Sequence, residues 1–220
     1  MATASDLYEL MSTTRSIRRI SDAPVDDAAL MRVLTACTWA PSGGNRQPWR
    51  VIAVRDRAVK ERIAALYTVE WDAYVEHNLD KLGDIDDATR ERARAAFGTG
   101  TNLARNLADV PVIAMFVHDP SALYVTDAGL GRHPVVGGAS LYPAVQNLLL
   151  ALRAEGLGGV LTTLVCGRET ELRDILGLPD GWGVHAMVPF GHPRGSHGPL
   201  SRAPLSRMAM LDNWSVPFGD

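Results

Sequence analysis

The chain has 220 residues, of which 46% are hydrophobic and 21% are charged, and its formal net charge is −3. These values exclude a disordered or fibrous chain, and the mild charge argues against a general nucleic-acid or anionic-membrane surface. Two cysteines without metal-ligand spacing, no secretory signal pattern and no apolar run of about 18 residues favour a cytoplasmic protein that does not span a membrane.

The first part of the chain is predicted to hold two helices separated by a basic segment. A short helix comes first, and TTRSIRRIS (residues 13–21) follows it. Asp26 is a suitable start for a second helix, which must end near Ala40 because a proline and two glycines follow. WRVIAVR (residues 49–55) then predicts a strand, and a further helix is expected over roughly residues 57–75.

The second part alternates predicted strands with helices. Residues 76–108 carry both charge signs and no long apolar run, which favours a solvent-exposed helical excursion. GASLYPAVQNLLLALRAE (residues 138–155) is apolar on most sides and predicts a central buried helix. Strands are predicted at 110–117, 158–165 and 183–191, and a helix at 168–176. The pattern predicts one α+β domain over residues 1–220, with a C-terminal arm at 191–220 that has no core of its own.

A polar cluster follows the first helix and consists of Arg15, Ser16, Arg18 and Arg19. A guanidinium group matches two phosphate oxygens at once, so the cluster predicts a site for a phosphate monoester. A solvated basic stretch beside the acidic start of the next helix is the alternative interpretation.

The corner WAPSGGNRQPWR (residues 39–50) has more special backbone residues than a helix-to-strand turn requires. Gly43 and the next glycine would let a flat ligand approach the backbone, and the amides of Asn45 and Gln47 can hydrogen-bond ring nitrogens and carbonyls. The histidines show no metal-ligand spacing, and no serine stands in a nucleophile elbow. Anion and ring recognition without a nucleophile or a metal indicates a cofactor that brings its own chemistry.

Three separated segments are similar to the FMN-dependent nitroreductase family, within the nitroreductase/iodotyrosine deiodinase superfamily. They are residues 13–56, GLGGVLTTL (156–164), and FGHP with the later PLSRAPLSRM (190–193 and 199–208). The resemblance implies an α+β sandwich with a central antiparallel sheet flanked by helices. It also implies an intertwined homodimer with FMN at the subunit interface, and a helical excursion at 68–108 over the active site. The implied reaction is ping-pong: NAD(P)H reduces FMN, and a small electron-poor aromatic acceptor, such as a nitroaromatic or a quinone, then takes the electrons.

The resemblance also implies roles for individual residues. Arg15, Ser16 and Arg202 would hold the FMN phosphate and ribityl chain, and Arg18 would lie by the N1/C2-carbonyl side of the ring. Thr162 and Thr163 would pass near flavin N5. The residues expected to reach the flavin of the partner subunit are Pro41, Ser42, Gly43 and Asn45, with Gln47 as a further amide. Thr14 stands where many relatives have another arginine, which weakens the expected phosphate clamp by one charge.

Alternative functions stay open. In a deiodinase-like enzyme Glu70 and Tyr74, one helical turn apart, would clamp an amino-acid substrate. Whatever the acceptor, Trp71, Tyr74 and the 119–136 loop are the expected walls of its pocket. A flavin store or sensor without turnover is a second alternative, with Trp214 and Phe218 as a lid. A flavin-fragmenting enzyme is the third.

Overall fold

A computed structural model of the chain describes residues 6–195 and 197–219. Its sheet has four antiparallel strands in the order β1-β2-β4-β3. The strands are β1 (Trp49–Val54), β2 (Val112–His118), β3 (Gly158–Gly159) and β4 (Gly183–Gly191). The helices are α1 (Leu7–Thr13), α2 (Asp27–Thr38), α3 (Arg57–Asp80), α4 (Asp87–Ala95), α5 (Gly98–Arg105), α6 (Tyr142–Ala154), α7 (Glu169–Leu176) and α8 (Leu205–Met208). The predicted α+β class with a central antiparallel sheet flanked by helices is confirmed.

The central strand β2 separates two hydrophobic clusters. Ile113, Met115 and Val117 pack with residues of α3, α5 and α7 on one face of the sheet. The alternate residues, such as Phe116, pack with α2 and α6 on the other face. Successive side chains of a strand point to opposite faces, so a continuous apolar run serves a strand that is covered on both sides. The buried helix α6 begins at Tyr142, later than predicted, because a 3-10 turn at Val136–Ser140 precedes it.

The strand predicted at 158–165 is a correction. Only Gly158–Gly159 pairs as a strand, and Thr162 forms an isolated bridge with Met187. The residue of β4 that would lie opposite Val160 is Pro189, whose nitrogen carries no hydrogen to donate to a ladder. Val160 donates its own N–H to the Pro189 carbonyl at 3.3 Å, and reciprocal pairing returns only at Thr162.

The prediction that residues 76–108 form a solvent-exposed excursion is wrong for the inner face of this region. Leu79, Leu103 and Leu107 lie in the same hydrophobic cluster as the sheet, and each is at most 3% exposed. The apolar residues of this region are spread over the end of α3 and two short helices, so no single window of sequence carries a clear stripe. The α3 helix also continues to Asp80, five residues beyond the predicted end.

No described helix combines the length and the hydropathy needed to cross a membrane.

Candidate active site

The segment after α1 is fixed as an extended edge beside β3. Ile17 is buried, and its N–H donates to the Gly159 carbonyl at 2.9 Å. A Cβ atom added to Gly158 would lie 2.6 Å from Ile17 Cγ1, so only glycine permits this close approach. Because alternate residues of an extended segment point in opposite directions, anchoring Ile17 leaves Ser16 and Arg18 free to project away from the core.

A cavity of about 1160 Å³ opens beside Ser16. Its polar lining includes Thr14, Arg15, Ser16, Gln146 and Arg202. One Arg15 Nη1 atom donates to the backbone carbonyl of Gly198 and, at 3.4 Å, to that of the next residue in the C-terminal arm. Arg15 Nε is buried and has no hydrogen-bond partner among the described residues. The two cations and the hydroxyls therefore form one end of the site, which is suited to an anion.

A second, narrower pocket of about 430 Å³ lies around Arg18. Thr162 and Thr163 line it, and Arg18 forms no side-chain hydrogen bond or ion pair with the described part of the chain. Its aromatic wall consists of Tyr67, Trp71, Tyr74 and Phe97.

The aromatic wall is locked by close packing. The Trp71 and Tyr74 ring centroids lie 5.7 Å apart, and Phe97 meets Tyr74 edge-on at 6.1 Å. Trp71 Nε1 donates to Thr101 Oγ1 at 3.1 Å. A Cβ atom on Gly100 would lie 2.1 Å from the Trp71 ring, so the first turn of α5 fits against the indole only because this residue has no side chain.

The buried Tyr67 hydroxyl connects the wall to the segment that carries the threonines. Burial raises the pKa of Tyr67, while a hydrogen bond with the Thr162 side chain and the charge of Arg18 oppose that rise. Tyr67 is therefore a neutral phenol that lies close to both Thr162 and Arg18. The Thr162 backbone is held in turn by its two hydrogen bonds with Met187, each 2.9 Å long.

The two cavities share Val160 and Leu161 as lining residues, so they adjoin each other along this segment. At one end are Arg15 and Arg202, and at the other end are Arg18 and the aromatic wall. An elongated molecule with an anion at one end and a flat ring at the other fits this arrangement. The buried, unpartnered Arg15 Nε is the specific feature that calls for an additional acceptor.

The corner at residues 41–47 lies outside both cavities of its own chain. It is tightly built: Gly43 N donates to Ser140 Oγ at 3.0 Å, and Gln47 N donates to Ser42 Oγ at 2.9 Å. Asn45 and Gln47 both adopt positive φ, at 52° and 48°. Left-handed backbone at residues other than glycine costs about 1–2 kcal/mol each and is concentrated at ligand-binding positions. Pro41 is exposed at the start of the same corner, and the assignment of this corner to the flavin of a partner stays a prediction.

The residues predicted to hold a substrate separate in the structure. Trp71 and Tyr74 line the ring pocket. Glu70 is not among the residues that line it, and its carboxylate lies 3.5 Å from Arg168 Nη1 in an ion pair. The 119–136 loop contributes no residue to this pocket of the single chain. Trp214 and Phe218 also lie outside it, and the Trp214 side chain is 88% exposed on the arm.

Comparisons with known proteins place the chain. Residues 11–192 match the Nitroreductase family. The chain belongs to the nitroreductase family. The resemblance drawn from the three sequence segments is thus confirmed.

Other members of the nitroreductase family differ in their named activities. A protein of Thermus thermophilus named NADH dehydrogenase is 32% identical over 202 residues, which are 89% of this chain and 91% of that protein. Iodotyrosine deiodinase 1 of Rattus norvegicus is 30% identical over 209 residues, 93% of this chain and 69% of that protein. A crystal structure of oxidized iodotyrosine deiodinase bound to FMN and 3-iodo-L-tyrosine has a TM-score of 0.71 at 21% identity, covering 95% of this chain and 100% of that one.

Some residues of this nitroreductase-family site were missed by the sequence reasoning. Tyr67 is one of them, although it recurs at helical spacing with the predicted Trp71 and Tyr74 on one face of α3, and this stripe would have indicated an aromatic wall. Phe97 and Gln146 come from separate helices and have no comparable local signal.

Proposed function

We propose that this protein is an FMN-dependent NAD(P)H oxidoreductase that reduces a small electron-poor aromatic acceptor by a ping-pong reaction. The observation that carries the proposal is the pair of adjoining cavities, with Arg15 and Arg202 in one and Arg18, Thr162 and aromatic rings in the other. The end with Arg15 and Arg202 suits a phosphate, and the aromatic end suits a flat tricyclic ring. An iodotyrosine deiodinase whose crystal structure contains FMN shares the fold.

Bound FMN would supply the redox chemistry, by accepting a hydride from the reductant and passing electrons to the acceptor. Arg15 and Arg202 would neutralise the phosphate, and Ser16 would donate a hydrogen bond to it or to the ribityl chain. Arg18 is a fixed positive charge, which favours whichever redox state carries more negative charge at the adjacent ring edge. The aromatic wall would offer ring faces and edges against which a flat acceptor could pack.

A homodimer completes this proposal. An apolar groove of about 710 Å³ runs along α1, α2 and α6. Met31 and Trp39 line it and are 70% and 74% exposed, a large apolar area for a single chain to leave open. A second copy packed there would bury both side chains and would explain why α6 is apolar on more sides than the sheet covers. The strained 41–47 corner follows directly after Trp39, so the same interface would bring it towards the partner's flavin.

The test is anaerobic rapid mixing of FMN-loaded protein with NADH and with NADPH, followed by a nitroaromatic or a quinone. We expect the yellow absorbance to bleach with at least one nucleotide and to return on addition of the acceptor. If neither nucleotide bleaches the flavin, the oxidoreductase proposal is wrong.

The phosphate end can be tested separately by FMN affinity. Arg15→Ala removes a charge-assisted contact, so we expect the dissociation constant for FMN to rise about tenfold or more. Arg62→Ala is the matched control, because Arg62 is an exposed arginine of α3 that lines neither cavity. Equal FMN affinity in the two variants would contradict the placement of the phosphate.

A deiodinase-like reaction is the second candidate, favoured by Tyr74 in the ring pocket and by the named activity of the rat relative. It requires Glu70 to exchange Arg168 for the ammonium group of a substrate. Saturable quenching of flavin fluorescence by 3-iodotyrosine that is lost in Glu70→Gln would support it. Quenching that is unchanged in Glu70→Gln would exclude that clamp.

A further inference from the structure

A third cavity, of about 590 Å³, lies beside the ring pocket. It is bounded by the segment after Arg18, by α5 and by the start of the C-terminal arm. Thr99 lines both this cavity and the ring pocket, so the two are neighbours across one side chain. The volume falls within the range of about 300–1,000 Å³ that is usual for small-molecule sites. We call it the side groove.

The side groove carries one positive charge without a partner. Asp22 is paired with Arg194 at 2.8 Å, and Asp109 is paired with Arg57 at 2.5 Å. Both carboxylates that line the groove are therefore neutralised. Arg19 also lines it, and its side chain forms no hydrogen bond or ion pair with the described residues. An exposed guanidinium that has no ion-pair partner of its own is suited to an anion, and to a phosphate above all because of its fork geometry.

Neutral polar groups occupy the rest of the groove. Asn106 Nδ2 donates to the Asn102 backbone carbonyl at 2.8 Å, so one amide side chain is tied to its own helix. The Asn102 side chain and the Thr99 hydroxyl form no hydrogen bond with the described part of the chain. An amide and a hydroxyl next to a cation are complementary to the hydroxyls and ring nitrogens of a phosphorylated nucleoside.

We propose that the side groove binds the phosphorylated adenosine half of the nicotinamide nucleotide, with Arg19 on a phosphate and Asn102 on the ribose or the base. The inference rests on the proposed function, because it assigns a binding site to the half of the NAD(P)H reductant that does not react. The nicotinamide enters the ring pocket, and the rest of the nucleotide passes Thr99 into the side groove. Binding of this remote half holds the nicotinamide in position. Loss of that binding therefore raises the concentration of reductant needed for half-saturation more than it lowers the rate of flavin reduction at saturation.

The experiment compares wild-type protein, Arg19→Ala and the Arg62→Ala control, all loaded with FMN. Calorimetric titration with 5′-AMP, 2′-AMP and inorganic phosphate tests the groove without any turnover. We expect Arg19→Ala to weaken the binding of at least one nucleotide about tenfold, and Arg62→Ala to leave it unchanged. A preference for 5′-AMP assigns Arg19 to the pyrophosphate shared by NADH and NADPH, and a preference for 2′-AMP assigns it to the phosphate found only in NADPH.

Anaerobic flavin reduction is the second measurement. The half-saturating concentration of the intact reductant should rise about tenfold in Arg19→Ala. Reduction by reduced nicotinamide mononucleotide, which lacks the adenosine half, should be unchanged. Nucleotide binding that is absent, no stronger than that of phosphate, or equal in Arg19→Ala and wild type would overturn the assignment even if NAD(P)H reduces the flavin. If no nicotinamide nucleotide reduces the flavin, the proposed function fails, and the titration by itself decides whether the groove is a nucleotide site.

Discussion

The contact between Gly100 and Trp71 allows a sharp test of the aromatic wall. A Cβ atom at Gly100 would lie 2.1, 2.4 and 3.0 Å from three carbons of the indole ring. Trp71 is only 8% exposed and donates a hydrogen bond to Thr101, so its ring cannot move without losing that bond and its packing. Gly98 begins the same helix, and an added Cβ atom there meets no atom within 4 Å. The pair Gly100→Ala and Gly98→Ala therefore differs mainly in the collision with the ring.

The magnitude follows from two terms. Overpacking of a well-filled site costs about 1–3 kcal/mol, and loss of the Trp71–Thr101 hydrogen bond costs about 1 kcal/mol. Replacement of glycine by alanine in a helix is favourable by up to about 1 kcal/mol, and this gain largely cancels between the two variants. We expect the free energy of unfolding of Gly100→Ala to be about 2–4 kcal/mol below that of Gly98→Ala.

Urea unfolding followed by circular dichroism measures this difference. A third variant, Trp71→Leu, removes the obstacle, so Gly100→Ala should cost less in the Trp71→Leu background than in the wild type. Equal stability of Gly100→Ala and Gly98→Ala, or the same cost in both backgrounds, would refute the packing of α5 against the indole.

Three further outcomes are expected. Arg18→Ala in FMN-loaded protein should lower the two-electron flavin potential by roughly 30–60 mV, equivalent to a lost contact of about 1.5–3 kcal/mol, and redox titration with an unchanged potential would remove Arg18 from the ring edge. Met31→Glu should convert a dimer to a monomer in sedimentation and should weaken FMN binding, whereas a dimer that persists with normal FMN affinity would place the interface elsewhere. Burial lowers the pKa of His185 from 6.5 to about 3. At a pH between these two values, His185 is therefore protonated in the unfolded chain and neutral in the folded one. Stability should therefore be full above about pH 6.5 and fall on acidification by up to about 1.4 kcal/mol per pH unit for this proton. His185→Gln should flatten urea midpoints measured between pH 7.5 and 5, and His133→Gln on the exposed loop should not.

Local chemistry made several parts of the protein predictable. The end of α2 and the start of β1 could be predicted because proline and glycine cannot continue a helix. The full burial of β2 followed from its continuous apolar run. Arg15 and Arg18 could be singled out as candidate ligand residues because the fork of a guanidinium matches the oxygens of an anion.

Other features had no signal in a local window. The break after β3 depends on Pro189, which pairs with that segment only in the folded sheet. Glu70 forms an ion pair with Arg168, which is far from it in sequence, so the spacing of Glu70 and Tyr74 alone could not show that an arginine of the same chain lies beside this carboxylate.

The sequence by itself therefore determined the family membership, carried by three separated segments, and singled out a basic segment and a glycine-rich corner as candidate ligand positions. The tertiary structure decided which of these residues share a cavity. Arg15 reaches the carbonyl of Gly198 across 183 positions of sequence, and Val160 and Leu161 line both the cavity of Arg15 and that of Arg18. Such long-range contacts depend on how both sheet faces are covered, because burial of the apolar clusters fixes the distance between segments that have no local preference for one another.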